Sequence, residues 1–256
     1  MEAAAGILLI IKMVGAYTVS GLALTFFSDK HVLVGLKKIG VRFLKPKKVK
    51  GFTWLKEHCT IIGLTQHGKT YATIKTLEMM NEPIIFFNTQ HTTVGKGWVE
   101  ATGANSTEQI IYAATKGHKI NFLPADESID KMSKQLAAIT DELYKQGRMN
   151  VRFVIDEVHL FWMCKDQAGK NALLRLATTG LGRGFICGFL SQRPAKVDNT
   201  LYTQSTKHII FALGKLDVSY LKNNGFPVDE IIAKTGNEKY VFVEFDQKNI
   251  TGPFMV

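Results

Sequence analysis

Apolar runs of five to seven residues alternate along the chain with segments in which apolar residues recur at helical spacing. The runs are typical of buried strands, and we predict strands at residues 59–63, 82–88, 119–123, 151–156, 185–191, 207–213 and 239–245. Between them we predict helices at residues 69–80, 106–116, 128–146 and 168–179, with Ser128 as the N-cap of the third. Apolar strands separated by helices predict an α/β fold, with a mostly parallel sheet and helices on both of its faces.

An apolar run also precedes this pattern, at residues 6–27, and Lys12 is its only charged residue. As a helix with a rise of about 1.5 Å per residue, this run of 22 residues would match the ~30 Å hydrocarbon core of a bilayer. Basic residues follow the run and no cleavage site is present, which argues against a secretory signal. We expect a hydrophobic N-terminal helix that anchors residues 1–28 to a membrane, spanning it or lying on it. A core or oligomer-packing element is the alternative, because Lys12, Gly15 and Gly21 interrupt the run.

The remainder of the chain divides into a strongly basic segment and a nearly neutral one. The formal net charge of +10 would suit a nucleic-acid-binding protein, but residues 30–50 hold eight bases and no acid, whereas residues 51–256 carry 23 Lys and Arg against 20 Asp and Glu. We therefore expect a basic linker at residues 29–50 and one α/β domain at residues 51–256. By the positive-inside rule both lie on the cytoplasmic side. The linker is either a tether beside anionic lipids or a path for nucleic acid.

A glycine-rich motif follows the first predicted strand and opens the first predicted helix. Its sequence, GLTQHGKT, fits the pattern G-x-x-x-x-G-K-[ST]. In that pattern backbone N–H groups cradle phosphates, the lysine reaches the β- and γ-phosphates of ATP, and the last hydroxyl binds Mg²⁺. The residues predicted to bind the nucleotide are Gly63, Leu64, Thr65, Gln66, His67, Gly68, Lys69 and Thr70. Gln66 and His67 occupy positions where such loops often carry a small residue. The sequence alone therefore does not establish that the loop makes its usual left-handed turn.

Two carboxylates end the strand predicted at residues 151–156, about 90 residues after the motif. Ligands of open α/β sheets bind at the carboxyl ends of the strands. We predict that Asp156 orders the water shell of Mg²⁺ and that Glu157 polarises the water that attacks the γ-phosphate.

The next predicted strand, FICGFLS, ends in the polar sequence Ser-Gln-Arg-Pro. An amide at this strand end can donate to the γ-phosphate and accept from the attacking water, so Gln192 is predicted to be catalytic.

Other chemistries have little support. The cysteines are Cys59, Cys164 and Cys187, whose odd number and wide spacing fit neither a disulfide framework nor a zinc site, and indicate a reducing compartment. No histidine pair has the i, i+4 spacing of a metal hydrolase, and no serine lies in a G-x-S-x-G elbow.

GLTQHGKT, RFVIDE and GLGRGFICGFLSQRP, in this order, resemble the FtsK/HerA superfamily of P-loop ATPases that pump DNA. The resemblance covers residues 60–256 and implies a RecA/FtsK-like P-loop NTPase sheet. The short length, without a large added domain, is similar to the genome-packaging ATPases of tailless viruses with an internal membrane.

This resemblance implies a homo-oligomeric ring, expected to be a hexamer, that binds ATP and Mg²⁺ between subunits and threads double-stranded DNA without reading its sequence. An arginine of one subunit would reach the γ-phosphate bound by the next. Arg183 is the first candidate and Arg175 the second, whereas Arg193 is expected to face its own nucleotide. The loop at residues 89–98, with Lys96, is the candidate for pore contacts to DNA phosphates.

The viral branch implies a packaging motor at a virion membrane or packaging vertex, with capsid vertex proteins as partners. Two alternatives place the chain at a host cytoplasmic membrane. One is a plasmid or conjugative DNA-transfer ATPase, which would need a further partner-binding domain. The other is a membrane-anchored assembly or secretion ATPase of the filamentous-phage type, whose cargo is a protein–DNA particle.

Overall fold

The computed structural model describes residues 46–103, 105–125 and 128–256. The apolar run at residues 6–27 and most of the predicted linker lie outside these residues. Within the described ranges, no helix combines the length and the apolar character needed to cross a bilayer. These described residues form one compact unit.

One sheet runs through this unit, in the order β1-β10-β9-β8-β2-β7-β6-β3-β5-β4. Its strands are β1 (Lys47–Lys48), β2 (Cys59–Ile62), β3 (Ile84–Phe87), β4 (Trp98–Thr102), β5 (Lys119–Leu123), β6 (Val151–Ile155), β7 (Phe185–Ser191), β8 (Lys207–Ile210), β9 (Val241–Phe245) and β10 (Ile250–Met255). From β8 to β4 every pairing is parallel, as predicted, while β9 runs antiparallel to both of its neighbours. The strand β1, inside the predicted linker, pairs with β10.

The described α-helices are α1 (Lys69–Glu78), α2 (Thr107–Thr115), α3 (Ile129–Lys145), α4 (Ala168–Thr179), α5 (Asn199–Thr203), α6 (Lys215–Asn223) and α7 (Val228–Thr235). The side chains of Ser106 and Ser128 cap α2 and α3 by accepting the backbone N–H three residues later, which confirms the predicted cap at Ser128. Three-residue to five-residue 3₁₀ turns lie at Val158–Trp162, Leu181–Arg183 and Pro194–Lys196.

Hydrophobic residues fill a core on each face of the sheet. Successive residues of a strand point to opposite faces of the sheet, so in β2 Ile61 packs into one core and Ile62 into the other. The core of Ile62 includes Phe87, Phe122 and Phe161, and residues of α2 to α4 cover it. The core of Ile61 is covered by α1 together with residues that precede β2. Burial on both faces explains the near-continuous apolar strands.

Candidate functional site

Polar residues that follow neighbouring parallel strands meet at the carboxyl edge of the sheet. The loop 63–70 follows β2, Glu157 comes after β6, Gln192 directly follows β7, and Gln90 comes after β3. A cavity of about 370 Å³ opens there. It is lined by Thr65, Gln66, Gly68, Lys69, Thr70, Tyr71, Gln90, Glu157, Lys239 and Tyr240. The fold therefore brings the glycine-rich motif and the predicted general base to one concave surface.

The loop 63–70 is anchored at its start and has unused donors at its tip. Leu64 N donates to the carbonyl of Ala212 at 2.8 Å. Gly68, with φ 97°, and Gln66, with φ 60°, are left-handed, so a glutamine adopts the conformation that glycine more often supplies. Among the backbone hydrogen bonds of the described chain, none uses the N–H groups of residues 65–68. Backbone amides without acceptors beside a helix N-terminus are the groups that bind anions in such loops.

Lys69 lies folded against this loop. Its ammonium donates to the carbonyl of Leu64 at 3.0 Å, and the side chain is buried. Burial lowers the pKa of Lys69, while the nearby carboxylates of Glu157 and Asp156 act in the opposite direction. The lysine is therefore a desolvated cation placed between the loop and the acidic pair.

Asp156 is fully buried, and one of its carboxylate oxygens has no partner. Its Oδ1 accepts the backbone N–H of Glu157 at 3.0 Å, whereas Oδ2 has no hydrogen-bond partner among the residues described. Burial, followed by the charge of Glu157, raises the pKa of Asp156 to about 7, and Lys69 opposes this rise. A buried carboxylate oxygen without a hydrogen-bond partner is available to bind a ligand.

The donor set at this point suits Mg²⁺, which prefers oxygen ligands and retains several waters. The hydroxyl of Thr70 and the carboxylate of Asp156 would hold the ion, the latter through water. When bound, Mg²⁺ would neutralise charge on the phosphates. Among the described residues, no group of three or more His, Cys, Asp or Glu side chains is placed to bind a metal ion.

The carboxylate of Glu157 is fixed through both of its oxygens. Its Oε1 accepts from Nε2 of Gln90 at 2.7 Å. Its Oε2 lies 3.1 Å from Nδ1 of His159 and accepts the backbone N–H of Gln192 at 3.2 Å. The backbone of Glu157 is left-handed, with φ 49°, which turns the chain sharply after β6. This strained conformation at a residue that lines the cavity is typical of functional sites.

Gln192 joins β7 to the glycine-rich loop, because its Oε1 accepts the hydroxyl of Thr65. The preceding residue supports it, since Oγ of Ser191 accepts the backbone N–H of Arg193 at 3.0 Å. Gln192 is thus placed at the loop, as its predicted role requires.

The three arginines lie in different surroundings. Arg183 is exposed in the 3₁₀ turn that precedes β7, so the whole strand, roughly 20 Å long, separates it from Gln192. Its side chain takes part in none of the hydrogen bonds or ion pairs found in the described residues. Arg175 donates from Nη1 to Oδ1 of Asp141 at 2.9 Å, and its guanidinium carbon lies 3.7 Å from the centre of the Tyr144 ring. Arg193 is exposed beside Gln192. Arg183 therefore lies too far from the loop 63–70 for its side chain to contact a phosphate bound there.

Sequence reasoning missed five residues of this site, namely Tyr71, Gln90, His159, Lys239 and Tyr240. Gln90 and His159 contact Glu157, and Tyr240 forms a wall of the cavity. His159 follows the acidic pair by two residues, which was an available signal. Gln90 and Tyr240 carried no signal, because only the order of the strands brings them to the loop.

No family model matches the sequence, and no curated protein matches it either. Solved structures do match. The genome packaging NTPase B204 from Sulfolobus turreted icosahedral virus 2, in complex with AMPPCP, has a TM-score of 0.56 and 16% sequence identity over 78% of this chain and 98% of that one. B204, the DNA-packaging ATPase from Sulfolobus turreted icosahedral virus, has a TM-score of 0.54 and 13% identity over 81% and 100% of the two chains. VirB4 of Thermoanaerobacter pseudethanolicus has a TM-score of 0.57 and 10% identity over 78% and 89%.

This chain has their fold. The likeness spans nearly the whole of each viral chain, which agrees with the short length noted in the sequence. The resemblance that the three motifs indicated is therefore confirmed at the level of fold.

Proposed function

We propose that this chain is an ATP-driven translocase of double-stranded DNA that acts as a viral genome-packaging motor. The observation that carries the proposal is the convergence of three elements at one sheet edge, in the fold of a genome packaging NTPase. These elements are the glycine-rich loop with Lys69, the acidic pair of Asp156 and Glu157, and Gln192.

The side chains divide the chemistry of hydrolysis between them. The free amides of residues 65–68 bind phosphate oxygens, and Lys69 neutralises charge on the β- and γ-phosphates. Glu157 orients the attacking water and accepts its proton. Gln192, whose Oε1 accepts from the hydroxyl of Thr65, donates from its side-chain NH₂ group to the γ-phosphate. Lys69, Glu157 and Gln192 are each positioned by a neighbouring group, whereas the loop amides are free to receive the phosphates.

In our proposal the chain works as a ring, expected to be a hexamer, in which Arg183 of one subunit completes the site of the next. The exposure of Arg183 and its distance from its own P-loop support this arrangement. The ring surrounds duplex DNA, and exposed Lys96 contacts its phosphates without base recognition. Residues 6–27 attach the motor to a virion or host membrane, with the ATPase unit on the cytoplasmic side and capsid vertex proteins as partners.

ATP hydrolysis with and without linear duplex DNA tests this function. We expect duplex DNA to raise kcat several-fold irrespective of its sequence, and Lys96→Ala to weaken that activation and its dependence on salt. Lys248→Ala, which changes an exposed lysine in the β9–β10 turn, is the matched control. An ATPase that ignores duplex DNA would instead favour an assembly or secretion motor acting on a protein–DNA particle.

A further inference from the structure

The cavity extends beyond the phosphate-binding residues to a wall that the proposed hydrolysis does not use. Lys239 and Tyr240 form this wall, with Tyr71 beside them. Tyr240 immediately precedes β9, which runs antiparallel to β8. An antiparallel strand begins at the edge where its parallel neighbours end, so Tyr240 lies at the same edge as the P-loop.

The order of the strands fixes which end of a nucleotide faces this wall. β6, which leads to Glu157, lies two strands from β2 on one side, and β9 lies two strands from β2 on the other. The γ-phosphate belongs beside Lys69 and Glu157, because hydrolysis takes place there. A nucleotide held by its phosphates over β2 therefore directs its base toward β9 and Tyr240.

Backbone contacts hold Tyr240 in place. Its N–H donates to the carbonyl of His67 at 3.1 Å, and its carbonyl accepts the N–H of Val256 at 3.2 Å. Its φ of 64° is left-handed, a conformation that a tyrosine keeps only when its surroundings impose it. Two anchored hydrogen bonds and a fixed backbone make this residue a rigid part of the P-loop wall.

The ring of Tyr240 packs against the P-loop and still presents surface to the cavity. A Cβ added at Gly68 would lie 2.8 Å from Cδ1 of Tyr240, so only glycine leaves room for the ring. Tyr240 nevertheless remains 45% exposed, so part of its surface is left uncovered by the protein. Exposed aromatic surface at a fixed position suits a flat apolar ligand.

We propose that Tyr240 is the stacking platform for the base of a nucleoside triphosphate, an inference that rests on the proposed binding of ATP at the P-loop. Stacking contributes affinity through the face of the base, without reading the hydrogen-bonding groups on its edge. Lys69 and the loop amides bind only phosphates, so removal of the ring weakens ATP without weakening a ligand that has no base.

Calorimetric titration of the full chain with ATP and with tripolyphosphate, each with Mg²⁺, separates the two parts of the site. We expect Tyr240→Ala to lower ATP affinity by about 5- to 150-fold and to leave tripolyphosphate affinity within twofold. Tyr240→Phe should retain ATP affinity, since the ring remains. Tyr240→Leu, which keeps apolar bulk against Gly68, should behave like Tyr240→Ala.

The controls distinguish this inference from the function on which it rests. Tyr112→Ala removes an exposed tyrosine on α2 that does not line the cavity, and it should leave both affinities unchanged. Unchanged ATP binding in Tyr240→Ala, or an equal loss for both ligands, would overturn the stacking role while leaving the P-loop assignment intact. A wild-type chain that bound neither ligand would overturn the nucleotide site itself, and with it this inference.

Discussion

The side-chain amide of Gln90 donates a hydrogen bond of 2.7 Å to the carboxylate of Glu157. Gln90 lies in the loop between β3 and β4, and the same loop carries Lys96. A residue proposed to contact DNA and the proposed catalytic base are therefore connected through a short stretch of backbone. We propose that, through this connection, DNA bound at Lys96 changes the rate of hydrolysis.

The first prediction follows from that hydrogen bond. Gln90→Ala frees one oxygen of Glu157, so we expect kcat to fall by about tenfold while the Kd for ATP changes little. The activation by duplex DNA should also decrease, because the loop no longer holds the carboxylate. Thr93→Ala, an exposed change in the same loop, is the control and should leave both quantities unchanged. Full DNA activation in Gln90→Ala would exclude this route.

The second prediction separates binding from turnover. Lys69→Ala removes the buried ammonium beside the P-loop and should abolish measurable ATP binding. Glu157→Gln preserves shape and should retain ATP affinity while losing about 10²-fold or more in kcat, because the carboxylate acts only as charge develops in the transition state. Equilibrium binding and single-turnover hydrolysis on both variants provide the test. An equal loss of ATP affinity in the two variants would contradict the assigned roles.

The third prediction concerns stability toward acid and depends on His208. This buried histidine lies 2.7 Å from the hydroxyl of Thr60 and packs between the rings of Phe226 and Phe245. Burial lowers the pKa of His208 from 6.5 to about 4. The unfolded chain therefore binds more protons between these two values, so stability is present above pH 6.5 and is lost as the pH falls. The contribution reaches at most about 3 kcal/mol.

Urea unfolding at pH 7.5 and pH 5 checks this expectation. In His208→Gln the difference in unfolding free energy between the two pH values should be smaller than in the wild type, whatever the stability of the variant at pH 7.5. His118→Gln, at an exposed position, should preserve the wild-type difference. The same difference in all three proteins would show that His208 does not couple to acid unfolding.

Much of the fold could be predicted where burial and periodicity agree. β7 and α4 have the predicted bounds because the strand is buried and the helix has a clear apolar stripe. β4 was missed because it is an edge strand in which Ala101 alone is buried, so it lacks an apolar run. β10 was missed because Pro253 interrupts its pattern. The antiparallel direction of β9 is a property of topology, which periodicity does not encode.

The candidate site could be predicted as far as local motifs extend. The spacing of GLTQHGKT and the carboxylates after β6 identify the P-loop and the acidic pair without any structure. Gln90 reaches Glu157 across 67 residues of sequence, and such a contact depends on the adjacency of β3 and β6. Tyr240 depends likewise on the position of β9. Residues in loops of ordinary composition gain chemical meaning only through strand order.

The last prediction is that catalysis is shared between subunits. Arg183 lies at the amino end of β7, whereas the phosphate site lies at its carboxyl end, so one subunit cannot supply both to the same nucleotide. Arg183→Ala should reduce kcat by about 10³-fold in a homogeneous ring, as expected for an arginine that stabilises transition-state charge. Arg175→Ala, which breaks the contact with Asp141 on the surface, should have a much smaller effect.

Mixing two inactive variants tests the direction of this contribution. Arg183→Ala subunits retain an intact P-loop and Lys69→Ala subunits retain an intact arginine, so some interfaces of a mixed ring combine both functional groups. We expect the mixture to recover part of the wild-type ATPase activity, with a maximum at intermediate ratios. Co-assembly is first verified by pull-down of differently tagged subunits. If verified mixed rings remained inactive, Arg183 would not act across the interface.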